Sequence, residues 1–465
     1  MNHPSPGTSR DQQATLTHAM SAFKIFLNMN IQSLTKRRNF KVISLGWFFT
    51  LATLLIAWNL LIAYVMIQDL HMNDFGKFYY SSVAYLNGQN MYGPNPATNM
   101  EVTPGNWMQF WNLNPPHFHL LLFPLGFLSP SIALGVWTVM SFIAGLASIH
   151  LIAETFSQPI GNSNRRFIFL GILCFSGTGI LFATGQLSLL LLFPLTLAWV
   201  RARKGSWRQA GILLGLVCSI KPFLLIFVPY LFLRRQYAAL VNYFLTIGGL
   251  YLAGFMVFGK QVHLQWMEKL GAINWYWSNL NASILGFLSR TFSQTPMFTP
   301  VIDAPEIITV LWVILGGTIT VLTCWIIYFD TTEQAVDRAF LLLLLAALLI
   351  SPLGWQYYAF FCLAPLSKMI SIWWAPPEIQ DFSRNGRLEH GRTILLYLSI
   401  PGMLLPYMVV KLFQPTPWVT ALLGSAYFWS ILFLWFGVFL DGCIRNLETL
   451  RSVLSPKHSL THMAL

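Results

Sequence analysis

The sequence predicts an all-α, polytopic integral membrane protein, and two observations carry that prediction. Of the 465 residues, 55% are hydrophobic and only 9% are charged, whereas a soluble domain carries roughly 25% charged residues. Apolar segments of about 20 residues, the length that spans a bilayer, also recur along the chain. Because backbone polar groups cannot remain unpaired in lipid, such segments are expected to be helical.

The net charge of +12 does not indicate a nucleic-acid-binding protein. The lysines and arginines form short clusters at the ends of apolar segments, not a continuous basic face. Clusters of this kind report orientation, because cytoplasmic loops carry an excess of Lys and Arg. Membrane lipids are therefore expected partners, and nucleic acid is not.

A basic cluster at residues 36–41 sets the expected orientation of the first apolar segment, residues 43–67. Since positive residues stay on the cytoplasmic side, we expect a cytoplasmic N-terminus and an outward loop at residues 68–116. A second large outward loop is expected at residues 259–304. In this topology the C-terminus is also cytoplasmic.

Three regions follow from composition and charge. Residues 1–35 are expected to form a cytoplasmic tail, disordered and in part amphipathic. Residues 36–440 should form a membrane domain of about 10–13 transmembrane or re-entrant helices. Residues 441–465 should form a cytoplasmic C-terminal tail.

One apolar stretch, residues 209–233, contains a break at Lys221-Pro222. Each half is about 18 Å long at 1.5 Å per residue, too short for a full span. Proline lacks the backbone N–H that would continue a helix. We therefore expect a re-entrant or strongly kinked pair, with Lys221 near its outward tip.

Several polar residues fall on the outer side in this topology, and we expect them to meet at one site. They are Asp69, Asp74, Tyr79, Tyr80, His117, Gln186, Lys221, Asn281, Arg290, Trp355 and Tyr357. Each is a weak signal by itself, and their shared side of the membrane is what connects them.

Lys221 and Asp74 suggest the chemistry of that site. An ammonium ion within an apolar stretch is costly and usually functional, and a lipid phosphate is the anion it would bind; pairing with backbone carbonyls at a kink is the alternative. Asp74 could act as a general base on a hydroxyl group, with Asp69 sharing that role, or it could cap a helix.

Other features exclude or leave open further functions. The sequence has no glycine-rich phosphate-binding motif, so a soluble nucleotide sugar is not the expected donor. His117 is expected to pack or to donate a hydrogen bond, and no cluster has the spacing of a metal site; we expect neither metal nor cofactor. The outward tryptophans indicate an aromatic belt, with stacking on a sugar as the alternative.

Several different short motifs also follow one another along the chain. They are Asp74-Phe-x-x-Phe-Tyr79, Leu86-x-Gly88, Tyr92, Asn114-Pro-Pro, Gly185-Gln186, Gly211-x-x-x-Gly215, Ile220-Lys-Pro222, Asn281-x-Ser283, Arg290 and Ser351-Pro-x-x-Trp355. In this order they resemble glycosyltransferase family 87, which contains polyprenyl-phosphate-mannose-dependent mannosyltransferases and falls within the membrane-embedded GT-C superfamily.

The resemblance implies an inverting transfer of a sugar, mannose by analogy, from a polyprenyl-phosphate donor to a lipid or glycan acceptor. The bacterial inner (plasma) membrane and an outward-facing site are implied with it. Asp74 would be the base, Lys221 and Arg290 would hold the donor phosphate, and Gln186 and Asn281 would be polar contacts. Many members carry histidines where this chain has Gln356-Tyr357-Tyr358, a departure that concerns the sugar or the acceptor rather than the fold.

Two rival functions remain. A transporter or flippase for a lipid-linked saccharide would place charges within the bilayer and show internal symmetry, and no repeat is visible. A polymerase or ligase of surface glycans would depend on outward Arg and His residues. Arg290 is the only arginine that this topology places outside, so this function ranks third.

Overall fold

The computed structural model describes residues 49–61, 64, 73–103, 105–156, 170–373, 386–411 and 416–454. Asp69, the predicted tail at residues 1–35, and residues 455–465 lie outside the described residues. The chain divides into two compact units, Met1–Leu54 and Leu55–Leu465. In the first unit the described residues, 49–54, are helical. The cavity and the contacts described below lie in the second unit.

The described residues are predominantly helical, which confirms the predicted all-α class. The α-helices are α1 (Phe49–Leu61), α2 (Asn73–Leu86), α3 (Pro130–Glu154), α4 (Gly177–Thr184), α5 (Ser188–Arg203), α6 (Trp207–Ile220), α7 (Phe227–Leu233), α8 (Tyr237–Gly271), α9 (Ile284–Phe292), α10 (Ile308–Phe329), α11 (Ala335–Ile350), α12 (Leu363–Trp373), α13 (Gly386–Leu404), α14 (Tyr407–Lys411), α15 (Pro417–Leu422) and α16 (Ala426–Leu454). Short 3₁₀ helices lie at Pro116–Leu120, Phe123–Phe127, Pro222–Ile226, Pro305–Ile307 and Gln356–Cys362.

One small β-hairpin interrupts the helical pattern in the part of the chain that the structure describes. Strands β1 (Asn99–Thr103) and β2 (Asn106–Gln109) pair antiparallel within the predicted first outward loop. The hairpin was not expected from the sequence. Its Trp107 is exposed, whereas Val102 and Met108 pack against the buried cluster of Trp275, Trp277 and Phe298.

Several helices are long and apolar enough to cross a membrane, so the protein is a polytopic integral membrane protein. Within the described residues four helices meet that criterion: α3, α8, α10 with the 3₁₀ turn before it, and the segment Ala426–Leu447 of α16. A fifth span results if α4 and α5, bent by 117°, are counted as one. Other apolar helices are shorter.

The break at Lys221-Pro222 is present as predicted. Helix α6 ends at Ile220, and Pro222 starts a 3₁₀ turn that leads into α7. The element α8 consists of two helical segments that meet at Gly259, whose φ of 73° and ψ of 176° are not helical. Glycine adopts this φ without a steric penalty. The first segment therefore ends beside Phe258, where the sequence placed the end of the span, and the second, which runs to Gly271, occupies the start of the expected loop at 259–304.

Gly211 and Gly215 let α6 and α8 approach closely. A Cβ atom at Gly211 would collide with the backbone carbonyl of Ala239, and one at Gly215 would meet the carbonyl of Tyr243. Small residues four apart are typical of tightly packed membrane helices. The pair therefore fixes α6, and with it the position of Lys221, against α8.

Helix α11 is the centre of the bundle. Each residue from Ala339 to Leu349 is at most 2% exposed, as expected of a helix that is apolar on all sides. At its N-terminal end, Asp337 pairs with Arg203 at 3.1 Å, and Arg338 pairs with Asp330 and Asp441. Its C-terminal end leads to Ser351 and the cavity described below.

The buried ion pairs join segments that the predicted topology placed on one side of the membrane. Asp441 also pairs with Arg392 at 2.9 Å and accepts a hydrogen bond from Trp373. Asp441 is 1% exposed and lies within α16, which continues to Leu454. The predicted start of the C-terminal tail at residue 441 therefore falls inside a packed helix.

Candidate functional site

A cavity of about 630 Å³ lies beyond the C-terminal end of α11. It is lined by the start of α2, the segment before the first 3₁₀ helix, the break between α6 and α7, and the segment after α11. Its polar lining side chains include Asp74, Lys77, Asn112, Asn114, Gln186, Lys221, Ser351, Tyr357 and Tyr358. Segments far apart in sequence thus supply one polar surface.

Asp74 enters the cavity from the first turn of α2. Its Oδ1 lies 2.8 Å from Nζ of Lys77, one helical turn later. Residues three apart share a helix face, which explains why the pair forms locally. The other carboxylate oxygen, Oδ2, accepts a hydrogen bond from Nε2 of Gln186. Asp74 is therefore oriented by two donors from different segments.

Gln186 connects Asp74 to Tyr357. Its Nε2 also donates to the hydroxyl of Tyr357 at 3.0 Å. Gly185, with a φ of 64°, ends α4 and turns the chain so that Gln186 faces the cavity. Within the described residues, Oε1 of Gln186 is buried without a hydrogen-bond partner.

Lys221 lies at the break between α6 and α7, where the helical backbone is interrupted. Its Nζ donates a hydrogen bond of 3.0 Å to Oδ1 of Asn114 and lies 5.1 Å from the ring centre of Tyr358. The alternative that Lys221 pairs with backbone carbonyls does not describe this geometry. Lys221 interacts electrostatically with both Asp74 and Lys77.

An apolar wall continues from Lys221 toward the outside of the bundle. It consists of Phe223, Leu225 and Ile226 after the break, together with Trp312 of α10 and Ile350 of α11. Leu225 is 47% exposed on the outer surface of the bundle. The cavity therefore combines a charged polar end with an apolar side that reaches the surface.

Aromatic side chains form much of the remaining lining. Trp266 and Trp275 are largely buried, and Trp355 stacks on Tyr357 with ring centres 6.1 Å apart. These three tryptophans face the cavity, whereas a membrane-interface belt would face lipid. The flat faces of such rings suit contact with a sugar or an isoprenoid chain.

Four of the predicted contact residues that the structure describes lie outside the cavity lining: Tyr79, Tyr80, His117 and Asn281. The hydroxyl of Tyr79 donates to the backbone oxygen of Leu128 at 2.7 Å, and the ring of Tyr80 packs against Tyr79. His117 shares a hydrogen bond of 3.1 Å with Ser219. The roles of the first three in the structure are packing contacts around α2 and α6.

Arg290 and Asn281 are also buried away from the cavity, with both side chains 0% exposed. Arg290 donates to the backbone oxygens of Trp277, Ser278 and Asn281 and to the hydroxyl of Ser425. The structure therefore does not bring Arg290 to the lysines that line the cavity. Its guanidinium holds the loop that precedes α9.

Asn281 joins that loop to the segment that lines the cavity. Its Nδ2 donates to the backbone oxygen of Pro352 at 2.9 Å, and its Oδ1 accepts from the N–H of Gly354 at 2.9 Å. Residue 281 also forms a β-bridge with Trp355. Asn281 thus positions Trp355 and Tyr357 without facing the cavity itself.

Sequence reasoning gave Lys77 no role in the site and included Asn114 only as part of the outward Asn114-Pro-Pro motif. Lys77 is three residues after Asp74 on a helix, a spacing that predicts contact. Asn114 belongs to the Asn114-Pro-Pro motif, but no local sequence pattern pairs it with Lys221. That contact spans 107 residues and depends on α6 and the 3₁₀ helix at Pro116–Leu120 both packing against α8.

The protein is thus a polytopic helical membrane protein in which an aspartate and two lysines line one cavity. The model of glycosyltransferase family 87 matches residues 112–352, more than half of the chain. The protein belongs to this family and is a membrane glycosyltransferase. Asp74 and its motif precede the matched residues. A search of curated proteins and one of solved structures each found no match.

Proposed function

We propose that this glycosyltransferase moves a sugar, mannose by analogy, from a polyprenyl-phosphate donor to a hydroxyl of a lipid or glycan acceptor. The observation that carries the proposal is the shared cavity of Asp74 and Lys221. A base and an anion-binding cation face the same space, and the apolar wall beside Lys221 suits the first isoprene units of a lipid donor.

In this mechanism Lys221 binds the donor phosphate, held in place by Asn114. The acceptor hydroxyl attacks the anomeric carbon from the side opposite the phosphate, so that the configuration inverts. Asp74 takes the proton of that hydroxyl, and Gln186 orients the carboxylate. A positioned general base contributes about 10²–10⁴-fold to such a step. Arg290 has no direct part in this mechanism.

The outward orientation is part of the proposal. The cavity joins segments that the charge pattern assigns to the outer side, and the buried ion pairs around Asp441 join segments assigned to the cytoplasm. A flipped lipid-phosphate sugar in the bacterial inner membrane would reach the cavity from the outer leaflet. The positive-inside rule supports this choice of side.

The test compares three proteins in lipid vesicles: wild type, Asp74→Asn and Asp303→Asn. Asp303 is an exposed acid that is not part of the cavity lining. Each is given radiolabelled polyprenyl-phosphate mannose and a crude acceptor-lipid extract. We expect label in a new product with wild type and Asp303→Asn, and a loss of about 10²-fold or more with Asp74→Asn.

Two outcomes would contradict the proposal. Equal transfer by wild type and Asp74→Asn would exclude Asp74 as the base. The second outcome is that donor lipids carrying mannose, arabinose or glucose all give no product, while wild-type vesicles translocate the labelled lipid. That result would favour the transporter function.

A further inference from the structure

Lys77 is the charged side chain of the cavity to which the mechanism above gives no role. Its ammonium lies 2.8 Å from Oδ1 of Asp74, and its side chain is 10% exposed. An ammonium ion in this position occupies the same carboxylate that has to receive the acceptor's proton. Lys77 and Lys221 line the same cavity, so an anion bound in that cavity is a second partner for the Lys77 ammonium.

The charges of the cavity match those of the proposed reaction. Among the described residues that line the cavity, the charged side chains are Lys77, Lys221 and Asp74. A polyprenyl-phosphate sugar is a phosphodiester with one negative charge. The loaded site, with two cations, one carboxylate and one phosphodiester, is therefore neutral.

Transfer redistributes these charges without changing their sum. The acceptor oxygen bonds to the anomeric carbon, and the bond from that carbon to the phosphate oxygen breaks. Its electron pair stays on the phosphate, and the acceptor's proton passes to Asp74. The departing polyprenyl phosphate then carries two negative charges, whereas Asp74 carries none, and the two lysines balance the phosphate alone.

We infer that Lys77 moves its ammonium from Asp74 to the departing phosphate as the proton reaches Asp74. The inference rests on the proposed function. Neutralising Asp74 removes the charge that holds Lys77, and the second phosphate charge attracts it. A lysine suits this task because it carries a compact charge on a flexible stem. Lys221, bonded to Asn114, stays on the phosphate throughout.

The inference predicts that the two lysines differ in how their contribution to phosphate binding depends on the charge of the phosphate. Lys221 should contribute to binding any lipid phosphate. Lys77 should contribute mainly when the phosphate has two charges, because only then does the phosphate compete with Asp74 for the ammonium. Replacing Asp74 by asparagine should free Lys77 in advance.

The experiment measures the affinity of vesicle-reconstituted protein for two probes at pH 8. One probe is polyprenyl monophosphate, which has two charges there because its second pKa is about 6; the other is its methyl diester, which has one. The proteins are wild type, Lys77→Gln, Lys77→Arg, Lys221→Gln, Asp74→Asn and the double variant Asp74→Asn/Lys77→Gln. Lys260→Gln, at an exposed position on α8, is the control.

We expect Lys77→Gln to weaken monophosphate binding about tenfold more than diester binding, since a charge-assisted contact is lost. Lys77→Arg should keep the preference for the monophosphate over the diester. Lys221→Gln should weaken the binding of both probes. Asp74→Asn should bind monophosphate about tenfold more tightly than wild type, and the double variant should lose that gain. Diester affinity reports that the variants other than Lys221→Gln are folded, and the melting temperature reports the folding of Lys221→Gln.

Equal weakening of both probes by Lys77→Gln, or unchanged monophosphate affinity in Asp74→Asn, would overturn the inference and leave the proposed function standing. If wild type binds neither probe, the proposed donor itself is wrong, and the inference fails with it. The two failures are therefore distinguishable.

Discussion

Nε2 of Gln186 lies 3.0 Å from the hydroxyl of Tyr357, 171 residues later in the chain. The same nitrogen donates to the carboxylate of Asp74. One amide therefore links the end of α4, the segment after α11 and the start of α2. Tyr357 is 5% exposed, so this link is protected from bulk water and fixes the direction of the Asp74 carboxylate.

Tyr357→Phe should lower the turnover rate while donor affinity changes little. The substitution keeps the ring stacked on Trp355 and removes one hydrogen bond from Gln186. A neutral hydrogen bond contributes about 0.5–1.5 kcal/mol, so we expect kcat to fall by about threefold to tenfold. Transfer assays in vesicles measure this.

Tyr397→Phe is the matched control, because Tyr397 is 56% exposed. A change confined to the donor KM in Tyr357→Phe would show that this hydroxyl binds substrate and does not orient the base.

Arg290→Met should destabilise the fold and should not selectively raise the KM for the donor. The guanidinium is fully buried and donates to three backbone oxygens and one hydroxyl. Each buried acceptor that loses its partner costs about 1–3 kcal/mol, so the melting temperature in detergent should fall by several degrees or more.

Arg208→Met, at an exposed position on α6, should leave the melting temperature unchanged. If Arg290→Met melted like wild type but had a raised donor KM, Arg290 would bind the donor phosphate, as the resemblance implied.

Asp441→Asn should be among the most destabilising single substitutions of a carboxylate. It removes the carboxylate charge that faces Arg392 and one of the two that face Arg338, which keeps its pair with Asp330. Breaking a buried ion pair costs about 3–5 kcal/mol. Thermal unfolding in detergent measures the effect.

Glu154→Gln provides the contrast, because its contact with His150 is 57–60% exposed and exposed pairs contribute about 0–1 kcal/mol. Similar melting temperatures for both variants would mean that the buried pairs do not stabilise the bundle.

The resemblance gives Lys221 and Arg290 the same role, whereas the structure places them in different surroundings. Sequence reasoning placed both on the outer side and gave both a phosphate-binding role. In the structure Lys221 faces the cavity, whereas Arg290 faces backbone carbonyls. Each residue follows or sits in a short motif, so nothing local separates them. The direction in which each side chain points depends on the elements packed around it.

The sequence by itself determined the membrane class, the break at Lys221-Pro222 and the family motifs. These depend on segment length, on the missing N–H of proline and on residue order, which are local properties of the chain. Only the tertiary structure decided that Gln186 orients Asp74 and that Asn114 meets Lys221. Both contacts require segments more than 100 residues apart to pack together, and no local pattern encodes that packing.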